Sequence, residues 1–457
     1  LLDLKLNGGT PEWLAERLDE LAPDLVGVSA LNCEAQASHE IAARVKDWNP
    51  DTLTVLGGPY AHKRAEEILT SSQFDWVFGG EADATFPEAI ARCLKGEPLG
   101  EDLAGFSYGY RDDRGTRHIH LSEAQDALKD LDALGHPAWD LVDFDAYAAR
   151  PNMAGVQKGR RYATIFTSRG CPYLCSYCHD IFGKRFIWRS AEHVLEEIEL
   201  LRSEYDVDEI QIVDDIFNLN KPRLRTIMAE SERRWQGNMA FSFPNGVRAD
   251  IMDEEIVEAL YRGGTYFVSI AIETVTERLQ KLVTKNLDVS RAERVIGYCH
   301  DRGMITRGFF MLGFPTETPK EIRATLDFAF RSQLTIAFFF TVTPQPATPL
   351  YSLAMEEAPD ALREAEQSER EGHGYRNDDA WYQRAYGYNL ARTIRFAYAR
   401  FFLTPRRGWQ ILRRIPRRYQ IIGTKSFLRF VVRRLPELKG QRGETKPLPP
   451  RGLESRA

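Results

Sequence analysis

From Tyr162 to Pro344 the chain repeats one pattern six times: a short run rich in β-branched and aromatic residues, then a longer segment with apolar residues at helical spacing. The strand-like runs are ATIFTS, EIQIVDD, MAFSFP, YFVSIAIE, TRGFFML and IAFFFTVTP. Helices are expected in SAEHVLEEIELLRSEY, capped by Ser190, then at 221–235, 253–262, across 276–302 and at 319–331. Alternation at this spacing restricts the segment to a parallel α/β sheet. Polar residues and glycines gather just after the strands, the end at which such sheets build their sites.

A shorter alternating series comes first. PEWLAERLDEL, with Pro11 in its first turn, precedes LVGVSAL; ASHEIAARVKD precedes TLTVLGG; HKRAEEILT precedes DWVFGGE; DATFPEAIARCLKG closes a helix at Gly96. This predicts a separate parallel sheet with helices on both faces, followed by a hairpin at 104–120 with a polar turn. HPAWDLVDFDAYAARPN has two prolines and no clear period, as a linker would. The expected division is therefore 1–125, a linker over 126–160, 161–350, and a helical region over 351–457 whose last fifteen or so residues are disordered.

No apolar run reaches the roughly 18 residues of a membrane span, and LTIAFFFTV is strand-sized. The first residues lack the basic and apolar regions of a signal peptide, so a cytoplasmic location is expected. Beginning at Leu1, without Met, the chain points to a missing N-terminus. In a reducing compartment its six cysteines are not a disulfide framework; the isolated Cys33, Cys93 and Cys299 read as small buried hydrophobes.

The other three cysteines lie in SRGCPYLCSYCHD, residues 168–180. Random placement would give one C-x3-C-x2-C in about a thousand chains of this composition. A structural zinc ion wants four closed ligands. His179 directly follows Cys178, too close to wrap back comfortably, and there is no second CxxC. In an iron–sulfur cube each iron needs one ligand besides its sulfides, so three thiolates leave one iron open to a small chelating molecule. A zinc-stabilised binding module remains the alternative from another class.

Cys171-Pro-Tyr-Leu-Cys175-Ser-Tyr177-Cys178, directly after the first strand of a six-unit series, resembles the signature of the radical S-adenosylmethionine (radical SAM) superfamily. The resemblance implies a partial (β/α)6 barrel and a [4Fe–4S] cluster on Cys171, Cys175 and Cys178. It implies SAM on the open iron and an electron donor such as flavodoxin or ferredoxin. Reductive cleavage of SAM would then give a 5′-deoxyadenosyl radical. It places Tyr177 near the adenine, Asp214 and Asp215 at the SAM amino group, Glu273 at the ribose and Arg248 at the carboxylate. By themselves the two aspartates equally allow a solvated strand end or helix cap, and Arg248 a surface ion pair. GFPTET (313–318) resembles a family turn near adenine, and QPATPLY a PGTPLY segment with Ala347 for glycine.

LVGVSAL, TLTVLGGPYA and DWVFGGEADATFPEAI together resemble the flavodoxin-like cobalamin-binding domain that precedes many radical SAM enzymes, with Tyr60 for a usual histidine and Asp83 for a usual glutamate. The resemblance assigns Ser29, Gly57, Gly58, Gly80 and Glu81 to cobalamin, the small residues letting backbone approach its nucleotide tail. AWDLVDFDAY resembles the segment joining the two domains. The domain's first strand is missing. DLKLNG carries Lys5 where a cobalt-binding histidine would stand, but lies before the helix leading to the second strand's place. The alternative is a plain flavodoxin-like domain whose glycines only make turns.

Two cofactors imply methylation of an unactivated carbon in a small or lipid-like metabolite; a cobalamin-dependent cyclase or rearrangement enzyme, without net methylation, is the second reading. RNA methylthiolation would need a second set of three N-terminal cysteines, and only Cys33 and Cys93 lie upstream. From Arg406 to the end 15 Lys or Arg face 3 Glu, against a formal charge of −6 for the whole chain. RRGWQILRRIPRRYQIIGTKSFLRFVVRR interleaves these cations with apolar residues, as suits peripheral contact with an anionic membrane, or else a helical cap on the barrel. No nucleic-acid partner is expected, because the remaining acidic chain repels phosphates. No catalytic side chain can be named from sequence.

Overall fold

The computed structural model describes residues 1–100, 102–112, 114–122, 128–150, 152–178, 181–346, 348–368 and 381–414. His179, Ala347 and the chain from residue 415, including the tail expected to be disordered, lie outside them.

The first sheet contains β1 (Leu25–Ser29), β2 (Leu53–Gly57), β3 (Trp76–Phe78), β4 (Phe106–Arg111) and β5 (Arg117–His120), in that spatial order. The first three are parallel; β4 runs antiparallel to β3 and forms the expected hairpin with β5. Helix Pro11–Leu21 leads into β1, and helices Ala35–Trp48, Ala65–Ser71 and Thr85–Lys95 connect the strands that follow. Thr10 caps the first through the Trp13 amide, and Gly96, at φ +67°, ends the last. Leu56, Ile68, Leu69, Phe74 and Val77 pack in one core, and Val55, Trp76, Phe78, Ala89 and Phe106 in another, so the sheet is covered on both faces. The LKLN segment is a helical turn, Leu4–Asn7, and no strand precedes β1 among the described residues.

The second sheet carries the six parallel strands: β6 (Tyr162–Ile165), β9 (Glu209–Ile212), β10 (Ala240–Val247), β11 (Thr265–Glu273), β12 (Ile305–Leu312) and β13 (Ile336–Thr341). Their spatial order runs β13-β12-β11-β10-β9-β6, so β6 and β13 are the two edges of an open barrel. One large core joins the sheet to its outer helices. The run ATIFTS does not stay one strand: β6 stops at Ile165, and β7 (Ser168–Arg169) pairs antiparallel with β8 (Ile187–Trp188). The carboxylate of Asp214 holds Thr167 and Ser168, which draws the chain out of the sheet and closes the cysteine segment into a loop.

The segment expected to be a linker packs closely. Trp139 donates to Glu197, Phe144 enters the barrel core, and residues 153–159 cross the N-terminal ends of the strands. There the Glu209 carboxylate accepts the Lys158 and Gly159 amides at 2.7 and 2.9 Å. Tyr266 donates to the Val156 carbonyl, and the buried Arg307 to those of Met153 and Ala154.

Beyond the barrel come helices Pro349–Glu357, Pro359–Ser368, Trp381–Tyr386, Leu390–Phe402 and Pro405–Arg414. The last of these is turned inside out. Arg407 and Arg414 point inward and donate to carbonyls ending helices Pro319–Arg331 and Val289–Asp301, while Trp409 and Leu412 face outward, 68% and 76% exposed. Cys299 is buried as expected; Cys33 and Cys93 are exposed instead, Cys33 on a short 3-10 turn that buries none of its residues and Cys93 on the outward side of the helix that buries Ala89. No helix among the described residues is long and apolar enough to cross a membrane.

Candidate active site

The cysteine loop leaves β7 through Gly170, whose φ is +76°. A Cβ there would stand 2.1 Å from the Arg185 carbonyl oxygen, so only glycine fits. Cys171, Cys175 and Cys178 follow, all half-buried. Burial pushes the Cys178 thiol up to about 12 and raises that of Cys171; the neighbouring thiols and Asp215 add to both, and Lys184 opposes. Such thiols are protonated in neutral solution, so metal must displace their protons. Among the described residues no three His, Cys, Asp or Glu groups converge on a single ion position. Cys175 acts electrostatically on both Cys171 and Cys178, so the three thiols are neighbours on one loop.

Three hydrogen bonds, from two elements, fasten this loop. The Ser176 amide donates to the Val283 carbonyl, the Leu350 amide to the Ser176 carbonyl, and the Thr284 hydroxyl to the Leu174 carbonyl. Beside them the buried Lys285 ammonium lies 3.2 Å from both the Tyr177 hydroxyl and Glu273 Oε1. Burial, then the Glu273 charge, raises the Tyr177 phenol well above its ordinary value, so it stays a neutral donor. Glu273, Thr284 and Asn286 all have positive φ, at +66°, +50° and +48°. Strain in three non-glycine residues around one loop marks a site whose geometry is over-determined by its surroundings. Arg248 completes the group: it donates to the Lys285 carbonyl at 2.8 Å, pairs with Asp250 and lies 3.7 Å over the Tyr173 ring. Lys285 and Thr284 escaped the sequence reading because a Thr-Lys-Asn turn between helices looks solvated.

The two aspartates after β9 separate. Asp214, 2% exposed, accepts the Thr167 amide, the Thr167 hydroxyl and the Ser168 hydroxyl at 2.6, 2.6 and 2.5 Å. Burial raises its carboxyl, against the charge of Arg223 and these bonds. The carboxylate expected at the SAM amino group is thus engaged at the strand end. Asp215 is half-exposed, and its charge reaches Cys171 and Cys178. In the GFPTET turn Glu317 Oε2 accepts the Gly313 and Phe314 amides, Oε1 has no hydrogen-bond partner among the described residues, and burial pushes the carboxyl up to about 8.

Inside the barrel the strand alternation sends Phe310 and Leu312 into the helical layer and leaves Phe309 and Met311 half-exposed on the concave face. Phe338 and Phe340 stand beside Phe309, with ring centroids 6.3 and 5.9 Å away. Gly246, at φ +110°, lies beside them, where a Cβ would come within 3.7 Å of the Phe309 ring. The chamber is apolar and aromatic on this side.

The C-terminal edge of the first sheet faces the same end of the barrel. Ser29 is exposed there, and a Cβ on Gly57 or Gly80 would meet nothing within 4 Å, whereas on Gly58, at φ +82°, it would strike the Ser29 hydroxyl at 2.7 Å. These small residues leave an open shelf on which a ligand's backbone contacts have room. Glu81 is not part of the open shelf. Its side chain is 6% exposed and pairs at 2.8 Å with Arg169, two residues before Cys171; Asp83 joins the same guanidinium at 2.8 and 3.1 Å. Burial raises the Asp83 carboxyl, but the bonds and charge of Arg169 outweigh it and hold it low. Asn32 donates to Gln345 at 3.3 Å across the same gap.

Residues 165–329 match the Radical SAM superfamily model, and residues 2–90 the B12 binding domain model. An uncharacterized methyltransferase of Pyrococcus horikoshii is 29% identical over 361 residues, covering 77% of this chain and 75% of that protein. The anaerobic magnesium-protoporphyrin IX monomethyl ester cyclase of Rubrivivax gelatinosus is 23% identical, over 77% of this chain and 62% of the cyclase. Among solved structures, the radical S-adenosylmethionine methyltransferase TsrM of Kitasatospora setae, with tryptophan and a SAM analogue bound, superposes with a TM-score of 0.64. It is 21% identical and aligns over 79% of this chain and 70% of TsrM, a likeness of fold. Three thiols on a loop at the mouth of an open six-stranded barrel, a glycine shelf facing them, and both family matches in chain order lead to one assignment: the chain belongs to the Radical SAM superfamily, among its members with an N-terminal B12-binding domain.

Proposed function

We propose that this chain is a cobalamin-dependent radical SAM enzyme that methylates an unactivated carbon of a small or lipid-like metabolite. The observation that carries the reading is the facing of two edges: the glycine shelf of the first sheet lies against the cysteine loop, joined by Arg169 to Glu81 and Asp83. When bound, the reduced cluster and SAM supply a hydrogen-abstracting radical, and cobalamin supplies the methyl group. Cys171, Cys175 and Cys178 would hold the cluster, and the donor set and spacing fit it. Tyr177 and Glu273, fixed by Lys285, would receive the adenosine end of SAM. Asp215 suits the SAM amino group better than Asp214. Arg248, with its inner partners, would offer its charge to the SAM carboxylate from a fixed position. Ser29, Gly57, Gly58 and Gly80 would line the cobalamin tail, with Glu81 at its border. The aromatic chamber wall suits an apolar substrate body and keeps water from the reacting carbon.

The test is anaerobic reconstitution with iron, sulfide, cobalamin and SAM, followed by assay for 5′-deoxyadenosine; Cys175→Ala should abolish that product, and its persistence would overturn the cluster assignment. Similarity to a named cyclase favours cyclisation without net methylation as a second reading. A product heavier by one methyl group decides for methylation, and a product without it for the cyclase. An electron donor of the flavodoxin or ferredoxin type belongs to either reading.

The inside-out helix supports peripheral membrane contact. Trp409 and Leu412 face outward between the exposed Arg406 and Arg413, a combination suited to an anionic bilayer surface. Co-sedimentation with vesicles containing phosphatidylserine should fall on replacing both apolar residues with Asp; unchanged binding would refute the contact.

A further inference from the structure

We propose that Arg169 is a positioning residue that registers the cobalamin edge against the cluster loop and balances charge beside the cluster. This rests on the cofactor reading above. Neither the family matches nor the sequence motif assigns Arg169 a task, and in the sequence it stands only as the residue before the loop glycine. In the structure its guanidinium spans two carboxylates of the other sheet, Glu81 through Nη1 and Asp83 through both Nη1 and Nη2. The Phe182 ring lies 5.5 Å beneath it.

Both ends of this contact sit on short segments, and both adjoin a cofactor edge. On one side Arg169 belongs to the two-residue β7, fixed by β8 and by the bond from Ser168 to the buried Asp214, and it precedes Cys171 by two positions. On the other side Glu81 directly follows Gly80 of the shelf. A displacement of either edge therefore has almost no slack chain in which to dissipate. A planar fork can meet two carboxylates at once, which an ammonium cannot do with the same geometry. The ion group is also asymmetric, one cation between two anions, so removing either sign leaves an opposite uncompensated charge near the cluster, where Glu81 is buried and Asp83 is partly open to solvent.

That asymmetry gives a test with opposite signs. Wild type, Arg169→Met, Arg169→Lys and the near-isosteric pair Glu81→Gln with Asp83→Asn are reconstituted with iron, sulfide and cobalamin. Cofactor content is measured first, then the cluster midpoint potential, then the distance distribution between the reduced cluster and cob(II)alamin by pulsed electron paramagnetic resonance. Arg169→Met should lower the potential, because unpaired carboxylates disfavour an added electron; the Gln/Asn pair should raise it. Arg169→Lys should leave the potential near wild type and still broaden the distance distribution, since it keeps charge without spanning both partners. Shifts of the same sign, no shift, or a Lys variant with a distribution as narrow as wild type would overturn the proposal. Should Arg169→Met not fold, the Gln/Asn pair and the Lys variant carry the test. A wild-type protein that takes up neither cluster nor cobalamin would instead defeat the underlying functional reading.

Discussion

Replacing Asp214 with Ala distinguishes a structural carboxylate from a SAM ligand. The change strips acceptors from three buried donors: the Thr167 amide, the Thr167 hydroxyl and the Ser168 hydroxyl. A buried donor left unsatisfied costs about 1–3 kcal/mol. The amide cannot turn away and counts in full, whereas the two hydroxyls can rotate and count near the lower limit, for a gross loss of about 4–5 kcal/mol. Burial of the Asp214 charge is itself unfavourable, as its raised carboxyl indicates, and relief of that penalty brings the net loss to about 3 kcal/mol. In a domain of this size that lowers Tm by roughly 10 °C. Calorimetry on cofactor-free protein measures it without any cluster. Asp215→Asn, at a half-exposed position, should stay within about 0.5 kcal/mol of wild type and weaken SAM binding instead. An Asp214→Ala protein as stable as wild type that fails only in SAM binding would refute the reasoning, because the carboxylate would then serve the ligand and not the strand end.

Glu317 predicts a pH dependence. Its folded carboxyl at about 8 lies above the ordinary 4.5, so between those values the folded chain holds a proton that the unfolded chain has lost. Stability from this group is complete below about pH 4.5 and is lost as pH rises through 8, at up to about 1.4 kcal/mol per pH unit. Denaturant titrations from pH 5 to 8 should show that slope in wild type and lose it in Glu317→Gln; an unaltered slope in the variant counts against it. Gly170→Ala should cost at least about 2 kcal/mol, from positive φ and the clash with the Arg185 carbonyl, and reduce iron incorporation. Equal iron content would show that the loop tolerates a side chain there. Lys285→Met should weaken SAM binding while leaving cluster iron unchanged, since Lys285 bonds Tyr177 and Glu273 but no cysteine. A loss of iron with unaltered SAM affinity would contradict this.

The parts readable in sequence were those with a period or a covalent spacing. Helices Pro11–Leu21, Lys221–Trp235 and Pro319–Arg331 start where Thr10, Asn220 and Thr318 cap them and a proline follows in the first turn. The six strands announced themselves by short apolar runs. What the sequence hid depends on distant partners. Asp214 and Asp215 are adjacent identical residues, and only the position of Thr167 decides which one is buried. Arg169 and Glu81 are separated by 88 residues, and neither carries a local sign of the other. The segment 153–159 has no period because it buries scattered side chains, Ala154, Val156 and Gln157, and offers its backbone to Glu209, Tyr266 and Arg307; such contacts leave little trace in residue types. Helix Pro405–Arg414 has a strong amphipathic pattern, but pattern alone does not say which face turns inward, and here the arginines do.

The strip that crosses the strands' N-terminal ends has a mechanical consequence. It is the same chain that arrives from the first sheet, so that sheet holds the barrel at top and bottom: through Arg169 and Gln345 at the mouth, and through residues 153–159 underneath. The arrangement works like a clasp whose hinge and catch belong to one piece. With that strip across the strands' lower ends and the seam between β6 and β13 left unpaired, a tug on the clasp is felt at both ends together. A mutation that slackens residues 153–159 thus acts on the mouth from the far side of the barrel, without touching a residue there.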